Sequence, residues 1–152
     1  MKAASLNSGP GQACAVAAVC GLIVLISLFL PWAQVVRELE TESTYPTGWQ
    51  VLRVLDVPIA LLAVASVGVA ALAVVRAAPL PALGLAVVGL VSVVLILLAP
   101  IVEDRGVRPL DFGGSWFLGL RAAFGVLGAG LLAFILLRPS KEDGEDEEEE
   151  EG

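Results

Sequence analysis

Four long runs of apolar residues dominate the pattern of hydrophobic and polar positions along this chain. They extend from Ala13 to Leu30, from Val57 to Val75, from Leu80 to Val102 and from Trp116 to Leu137, and they hold 18, 19, 23 and 22 residues. A hydrocarbon core of about 30 Å needs roughly 20 helical residues, because each adds about 1.5 Å. All four runs therefore predict transmembrane helices.

The polar segments between these runs predict the order of the remaining elements. An N-terminal tail covers residues 1–12, two loops cover 31–56 and 103–115, and a C-terminal tail covers 138–152. Because only residues 76–79 link the second and third runs, these two helices should form an antiparallel hairpin. The sequence thus predicts an all-α integral membrane protein, a four-transmembrane-helix bundle with a small extracytoplasmic loop cap and disordered termini.

The composition supports insertion into a bilayer. The chain is 57% hydrophobic, whereas soluble domains are nearer half. In the fourth run, twelve Val, Ile, Leu or Phe residues contribute about −4 to −7 kcal/mol, against about +2.5 to +3.5 kcal/mol for Arg121. The first run has an alternative interpretation as a cleaved secretory signal, but Pro31-Trp32 closes it where small residues are expected, so we expect a retained helix.

Most of the acidic residues lie at the C-terminus, whereas the basic residues are divided equally between the two sides of the predicted helices. Residues 142–151 hold nine of the sixteen acidic residues, which predicts a disordered, solvated tail that avoids nucleic acid; docking onto a basic protein or weak binding of divalent cations stays open. Four basic residues lie on each side of the predicted helices, but Arg76 and Arg138 adjoin helix ends. Because such charges have most influence on orientation, we predict that both termini are cytoplasmic.

The tyrosine and all three tryptophans lie in the two loops or directly beside them, which predicts an interfacial aromatic cap made by Trp32, Trp49 and Trp116. Within the first loop, residues 35–42 alternate in a pattern typical of a short strand with an acidic face, and a turn should follow at 45–48. Residues 49–56 favour a helical approach to the second run. Asp56 is the predicted N-cap of that run, and Pro58 lies in its first turn.

Arg121 is the only charged residue within the four runs, and it is the strongest candidate for a functional residue. Three interpretations stay open: an ion pair inside the protein with Asp56, Glu103 or Asp111, a substrate or ion site, and a side chain that simply extends to the membrane surface. The ion-pair interpretation is supported by small residues that follow Arg121 at i+4 spacing, because such residues favour close packing against another helix. A matching set of small residues lies on the first apolar run. The two sets are Gly125, Ala129 and Ala133, and Ala13, Ala17 and Gly21.

The residue inventory argues against catalysis. Histidine is absent, and the sequence offers no nucleophile placed near a base, no phosphate-binding glycine loop and no cluster of metal ligands. We therefore expect no catalytic residue, metal or cofactor. The expected function is a non-catalytic interaction or accessory component of the membrane, whose partners are the lipid bilayer and another membrane protein or a second copy. The alternative is a small-solute transporter or channel subunit with Arg121 at its site.

Three short motifs between Leu22 and Ala73 resemble a group of small, uncharacterised four-span membrane proteins of actinobacteria. They are Phe29-Leu30-Pro31-Trp32, Gly48-Trp49, and Asp56 heading an alanine-rich run. The resemblance implies a bacterial inner-membrane location with internal termini and brings no activity. The topology and the tryptophan spacing are also similar to claudins, but only by analogy, because claudins carry a Gly-Leu-Trp and two loop cysteines that this chain lacks.

Overall fold

Four long helices account for most of the structure, a computed structural model that describes residues 7–33, 35–36, 43–44, 47–52, 54–102 and 112–138. Four of its elements, α1, α3, α4 and α5, are long and apolar enough to cross a membrane, so the predicted set of apolar helices is confirmed. The tails outside residues 7–138, which we predicted to be disordered, lie outside the described residues. The elements are α1 (Gly9–Ser27), β1 (Val35–Val36), β2 (Ser43–Thr44), α2 (Gly48–Val51), α3 (Asp56–Arg76), α4 (Pro79–Val102) and α5 (Gly114–Leu137).

Helix α1 begins four residues earlier than predicted and ends three residues earlier. Ser8 is its N-cap, and the Ser8 hydroxyl accepts a hydrogen bond from the backbone N–H of Gly11 at 3.3 Å. Pro10 lies in the first turn, where its missing N–H removes no helical hydrogen bond. Residues 9–12 therefore belong to the helix, and assigning them to the tail was wrong.

The first loop contains the predicted strand only in part. Strand β1 pairs antiparallel with β2, with Val35 opposite Thr44, and residues 37–42 lie outside the described residues. The predicted helical approach is a single turn, α2, because Leu52 adopts an extended conformation (φ −84°, ψ 127°). Helix α3 then begins at Asp56 itself, with Leu55 at the N-cap, and the Asp56 carboxylate accepts from the N–H of Val57 at 2.7 Å. Asp56 thus lies one position inside the helix rather than at its N-cap.

The four long helices are arranged in a ring, in which α1 and α4 each contact both α3 and α5. Close pairs along α1 and α5 show that these helices are antiparallel, since Gly9 adjoins Leu136 and Ser27 adjoins Gly119. Only Ala77 and Ala78 separate α3 from α4, and Ala77 adopts a left-handed conformation (φ 45°) that reverses the chain. We call the end where α1 stops and α5 starts the loop end, and the opposite end the tail end.

The distribution of side-chain sizes is inverted relative to a soluble helical bundle. Among the described residues, 13 of the 26 buried hydrophobic residues are alanine. Large aliphatic side chains point outwards instead, for example Leu80 (77% exposed) and Ile101 (72% exposed). Small residues let helix backbones approach closely, and this packing is typical of helices that have hydrocarbon rather than water outside.

The closest approach of two helices is made by a pair of glycines that the sequence pattern did not single out. A Cβ on Gly89 of α4 would lie 2.7 Å from the Cα of Leu127, and a Cβ on Gly130 of α5 would lie 2.9 Å from the Cα of Ala86. Real side chains do not tolerate contacts this short with a backbone. Glycine is therefore required at both positions for α4 and α5 to pack as they do.

We predict that Gly89→Ala destabilises the bundle by about 2 kcal/mol, because the new methyl group pushes α4 away from the backbone of α5. The matched control is Gly128→Ala, because a Cβ on Gly128 meets no atom within 4 Å. The control should be as stable as the wild type or slightly more stable, since alanine favours helix. Thermal unfolding of both variants in one detergent measures the difference, and equal melting temperatures would contradict the prediction.

Candidate functional site at the loop end

Trp32 is the centre of the loop end, and it is completely buried (0% exposed). Its indole Nε1–H donates to the backbone carbonyl of Ser27, the last residue of α1, at 2.5 Å. The same carbonyl also accepts from the backbone N–H of Leu30 at 3.1 Å, so the turn that ends α1 satisfies it and the indole adds a second donor. The ring of Trp32 is therefore enclosed by the protein, and the end of α1 provides its N–H with a partner there, while its depth relative to a membrane surface stays a prediction.

Two glycines make room for the Trp32 ring, and we refer to the space between them as the indole slot. A Cβ on Gly48 would lie 3.1 Å from Cε2 of Trp32, and a Cβ on Gly119 would lie 3.6 Å from its Cζ2. The slot thus has one wall on α2 and another on α5. The Gly48-Trp49 pattern was noted in the sequence, but Gly119 was missed because nothing in its local pattern distinguishes it from other glycines of that run.

The backbone on either side of Trp32 holds both loops. Pro31 forms an antiparallel bridge with Thr47, and the N–H of Trp49 donates to the carbonyl of Leu28 at 3.3 Å. On the other side, the N–H of Gly113 donates to the carbonyl of Trp32 at 2.7 Å. Residues 28–33, which we call the junction segment, therefore tie α2 and the start of α5 to the end of α1.

The other two predicted cap tryptophans are half-buried at opposite sides of the loop end. Trp49 packs against Phe29 with ring centroids 5.7 Å apart. Trp116 packs against Phe117 at 4.8 Å, and its Nε1–H donates to the carbonyl of Ile96 at 3.2 Å. The buried Nε1 of Trp49 has no hydrogen-bond partner within the part of the chain that the structure describes. The N–H groups of both rings are thus buried or bonded within the protein, and a position of these rings at the membrane surface stays a prediction.

Arg121 lies on the exposed face of α5, so its side chain does not face the protein interior, which was one of the three interpretations that the sequence left open. The reason is the helical period: four residues advance about 400°, so each i+4 step adds about 40°, and Ala133 is about 120° around the helix from Arg121. Ala129 and Ala133 are buried, Gly125 is half-buried, and Arg121 is at the outer edge of this set. From Arg121 towards the C-terminus of α5, the row of small residues therefore passes from the exposed face of the helix to its buried face.

No described residue forms a hydrogen bond or ion pair with Arg121 in this structure. Asp56 is half-buried at the start of α3, and α3 lies diagonally across the ring from α5. The structure therefore does not bring Asp56 and Arg121 together. The other two predicted partners, Glu103 and Asp111, lie outside the described residues.

The predicted small residues of α1 pack within this chain. Ala13, Ala17 and Gly21 are all buried, and a Cβ on Gly21 would clash with the hydroxyl of Ser66 on α3. The matching position on α5 contacts α1, since a Cβ on Gly125 would lie 2.5 Å from Sγ of Cys20. These residues therefore serve contacts between helices of the same bundle.

The interior offers few polar atoms for chemistry or for solute binding. The buried polar residues of the described part are three serines, and each donates its hydroxyl to a carbonyl of its own helix at 2.7–2.8 Å. No three His, Cys, Asp or Glu side chains among the described residues lie close enough together to hold a metal ion. The hydroxyls of these three buried serines, Ser27, Ser66 and Ser92, are thus satisfied within their own helices.

Comparison with known proteins gives no match: no family model, no curated protein and no solved structure is similar to this chain.

We predict that Trp32→Phe destabilises the protein by about 2 kcal/mol, because it removes the hydrogen bond to Ser27 and leaves part of the indole slot empty. The matched control is Trp49→Phe, because the Trp49 N–H has no partner within the described chain. This control should change the melting temperature much less. Equal losses for the two variants, measured in the same detergent, would show that the hydrogen bond under α1 is unimportant.

Proposed function

We propose that this chain is a multi-pass protein of a bacterial cell membrane and that it acts there as a non-catalytic interaction or accessory component. Four helices of sufficient length and the outward-facing aliphatic side chains support the membrane location. We propose cytoplasmic termini, since Arg76 and Arg138 are exposed at the tail end, where basic residues favour the cytoplasmic side. The loop end would then face outwards.

The observation that carries this proposal is the apolar interior of the described bundle, whose buried polar residues are three serines. A solute pathway needs polar side chains or interrupted helices near the middle of the membrane, and an enzyme needs a pocket with titratable groups. Within the described bundle, each of the three buried serines donates its hydroxyl to a backbone carbonyl of its own helix. We therefore propose that other molecules bind to the outer surface of the bundle rather than to an internal site.

The loop end is the surface that best suits a protein partner. Phe29 is 62% exposed there and packs against Trp49, so an aromatic pair lies at the outside of the bundle. Aromatic residues are enriched among those that contribute most to protein–protein contacts. Hydrogen bonds between Trp49 and Leu28 and between Gly48 and Leu30 hold α2 beside Phe29, so this pair is presented in a fixed position.

The transporter alternative has less support. It requires Arg121 to line a solute path, and Arg121 lies on the exposed face of α5. We expect Arg121→Leu to leave solute transport unchanged. A selective loss of solute flux at a normal membrane level would favour the transporter.

Crosslinking in native membranes tests the interaction proposal. We predict that the wild-type chain is crosslinked to a membrane protein and that Phe29→Ala lowers the yield roughly fivefold or more, as expected for the loss of an exposed aromatic contact worth about 1–2 kcal/mol. The matched control is Phe124→Ala, because Phe124 is also exposed but lies within α5, away from the loop end. Absence of any crosslinked protein, or equal losses in the two variants, would contradict the proposal.

Reporter fusions test the orientation. A fluorescent protein joined after Gly152 should fluoresce, because the tail end is proposed to lie in the cytoplasm, and alkaline phosphatase joined after Thr44 should be active outside. The same two reporters exchanged between the two positions provide the control. Phosphatase activity at Gly152 with fluorescence at Thr44 would reverse the proposed orientation.

A further inference from the structure

The outer face of α1 carries a polar side chain among apolar ones. Gln12 is exposed there together with Ala15 and Val19, and spacings of three and four residues place the three within about 60° of one another around the helix. The backbone N–H of Gln12 donates to the carbonyl of Ser8, but the side-chain amide forms no hydrogen bond with any described residue. The donor and the acceptor of this amide are therefore left for water or for a molecule outside the described chain.

The length of α1 places Gln12 inside the hydrocarbon of a membrane. The helix has 19 residues and is about 28.5 Å long, slightly less than a hydrocarbon core of about 30 Å. Gln12 is three residues, or about 4.5 Å, from the first residue of the helix, Gly9. A polar group at this depth is costly unless it has a hydrogen-bond partner, which favours a neighbouring protein surface that supplies one.

Two grooves flank this part of α1 in the tail-end half of the bundle. The groove between α1 and α5 has a volume of about 550 Å³ and follows α1 from Gly9 to Val16. The groove between α1 and α3 has a volume of about 330 Å³ and includes Ala15 and Ala18. Both grooves are open to the outside. The part of α1 that carries Gln12 therefore stands between two depressions that can receive side chains of another helix.

The outer faces of the other three long helices suit contact with a second copy less well. On α5, Arg121 would meet a second arginine across a twofold axis, and like charges repel each other. Between the end residues of α3 and of α4, the exposed side chains are apolar and offer no hydrogen bond. Among the described helices, α1 thus has the outer face with a neutral group that can both donate and accept.

We propose that two copies of this chain associate through α1, in parallel and about a twofold axis along the membrane normal, with Gln12 of one copy hydrogen-bonded to Gln12 of the other. A carboxamide has donors and an acceptor, so two identical amides that face each other across this axis satisfy each other. Such bonds between membrane helices stabilise their association. A single polar residue in an otherwise apolar contact also fixes the register and the number of helices.

The twofold axis also determines what each groove receives. A rotation of 180° places the α5 side of one α1 opposite the α3 side of the other. Val16 is 54% exposed on the α5 side of α1, so it faces the α1–α3 groove of the second copy. Helix α3 of the second copy in turn faces the larger groove, which Gly128 lines without a side chain. The proposal rests on the membrane location proposed above but not on the partner at the loop end.

Single-molecule photobleaching of the labelled full chain in liposomes, at several protein-to-lipid ratios, tests this proposal. The wild type should bleach in two steps increasingly often as the ratio rises. Gln12→Leu should lower the association constant roughly tenfold, as expected for the loss of hydrogen bonds between membrane helices, whereas Gln12→Asn keeps an amide and should retain most of it. The matched control is Arg121→Leu, which removes an exposed polar group from α5 and should change nothing. Equal association of the wild type and Gln12→Leu would overturn the proposal.

Cysteine crosslinking tests which helix face forms the contact. Ala15→Cys should form a disulfide-linked dimer on mild oxidation in native membranes, because two cysteines near the twofold axis can reach each other. The controls are the wild type, whose Cys14 is buried and Cys20 half-buried, and Val87→Cys, which is exposed on α4. As much dimer from Val87→Cys as from Ala15→Cys would mean random collision and would overturn the proposal.

A pair of glycine variants tests the α1–α5 groove. Gly128→Leu places a side chain where α3 of the second copy should lie and is expected to weaken association in liposomes at least fivefold. Gly114→Leu is the matched control, because a Cβ on either glycine meets no atom within 4 Å but Gly114 is at the loop end of the same helix. Equal association of the two variants would contradict the proposed arrangement of the two copies.

A photoreactive amino acid in place of Ala15 identifies the neighbour of α1 in native membranes. An adduct with a second copy of this chain is expected, and an adduct with lipid alone or with another membrane protein would overturn the proposal. If the chain is a monomer in liposomes while the protein crosslinks that depend on Phe29 persist in native membranes, only the dimer is wrong. If the wild-type chain is absent from the membrane fraction, the proposed function fails as well.

Discussion

The hydrogen bond from the Trp32 indole to the carbonyl of Ser27 is the interaction on which the loop end depends. The last carbonyls of α1 accept from backbone N–H groups of the turn that follows, Ser27 from Leu30 at 3.1 Å, so the indole is a second donor, and its own buried N–H gains a partner whose absence would cost about 1–3 kcal/mol. Trp32 donates to one of these carbonyls and, by folding under α1, turns residues 28–33 across the end of the bundle. The backbone of this segment then pairs with α2 on one side and with the start of α5 on the other.

Close approach of helix backbones determines how the rest of the bundle packs. Alanine and glycine at the helix contacts allow backbones to approach, as between α4 and α5 at Gly89 and Gly130. The described interior combines these small residues with a few large apolar side chains such as Leu85 and Ile96. Many other large aliphatic side chains lie outside, where the proposed lipid environment accepts them without the cost that water would impose. Fold and proposed function are connected here, because these outward side chains form the surface that the proposed membrane and its proteins would contact.

The apolar runs were sufficient to predict the existence and order of the four long helices, because hydrophobicity over about 20 residues is a strong and local signal. The start of α1 was misplaced because residues 9–12, which include glycine and proline, were assigned to the tail, although proline is well tolerated in a first turn behind a serine cap. The burial of Trp32 could not be predicted from its preference for interfaces. It depends on the turn that follows α1 and on Gly48 and Gly119, which lie beside the ring but are distant from it in sequence.

Arg121 shows a second reason why sequence spacing alone does not predict which face of a helix is buried. Its row of small residues was identified correctly by i+4 spacing, but three such steps rotate the face by about 120°, and only the packing of α1 against α5 determines where that face turns inwards. The contact at Gly89 and Gly130 could not be predicted from the sequence for the same reason, because it depends on how α4 packs against α5. A residue pattern reports which faces are small, whereas the neighbour that each face meets is a property of the assembled bundle.

The indole slot also has a consequence for the order of events during synthesis. Trp32 leaves the ribosome 87 residues before Gly119, which forms one wall of its slot. At about 5–20 residues per second, the indole waits roughly 4–17 s before that wall exists. The end of α1 therefore acquires its final packing only when α5 has been made, although α1 precedes the other helices of this bundle in the chain.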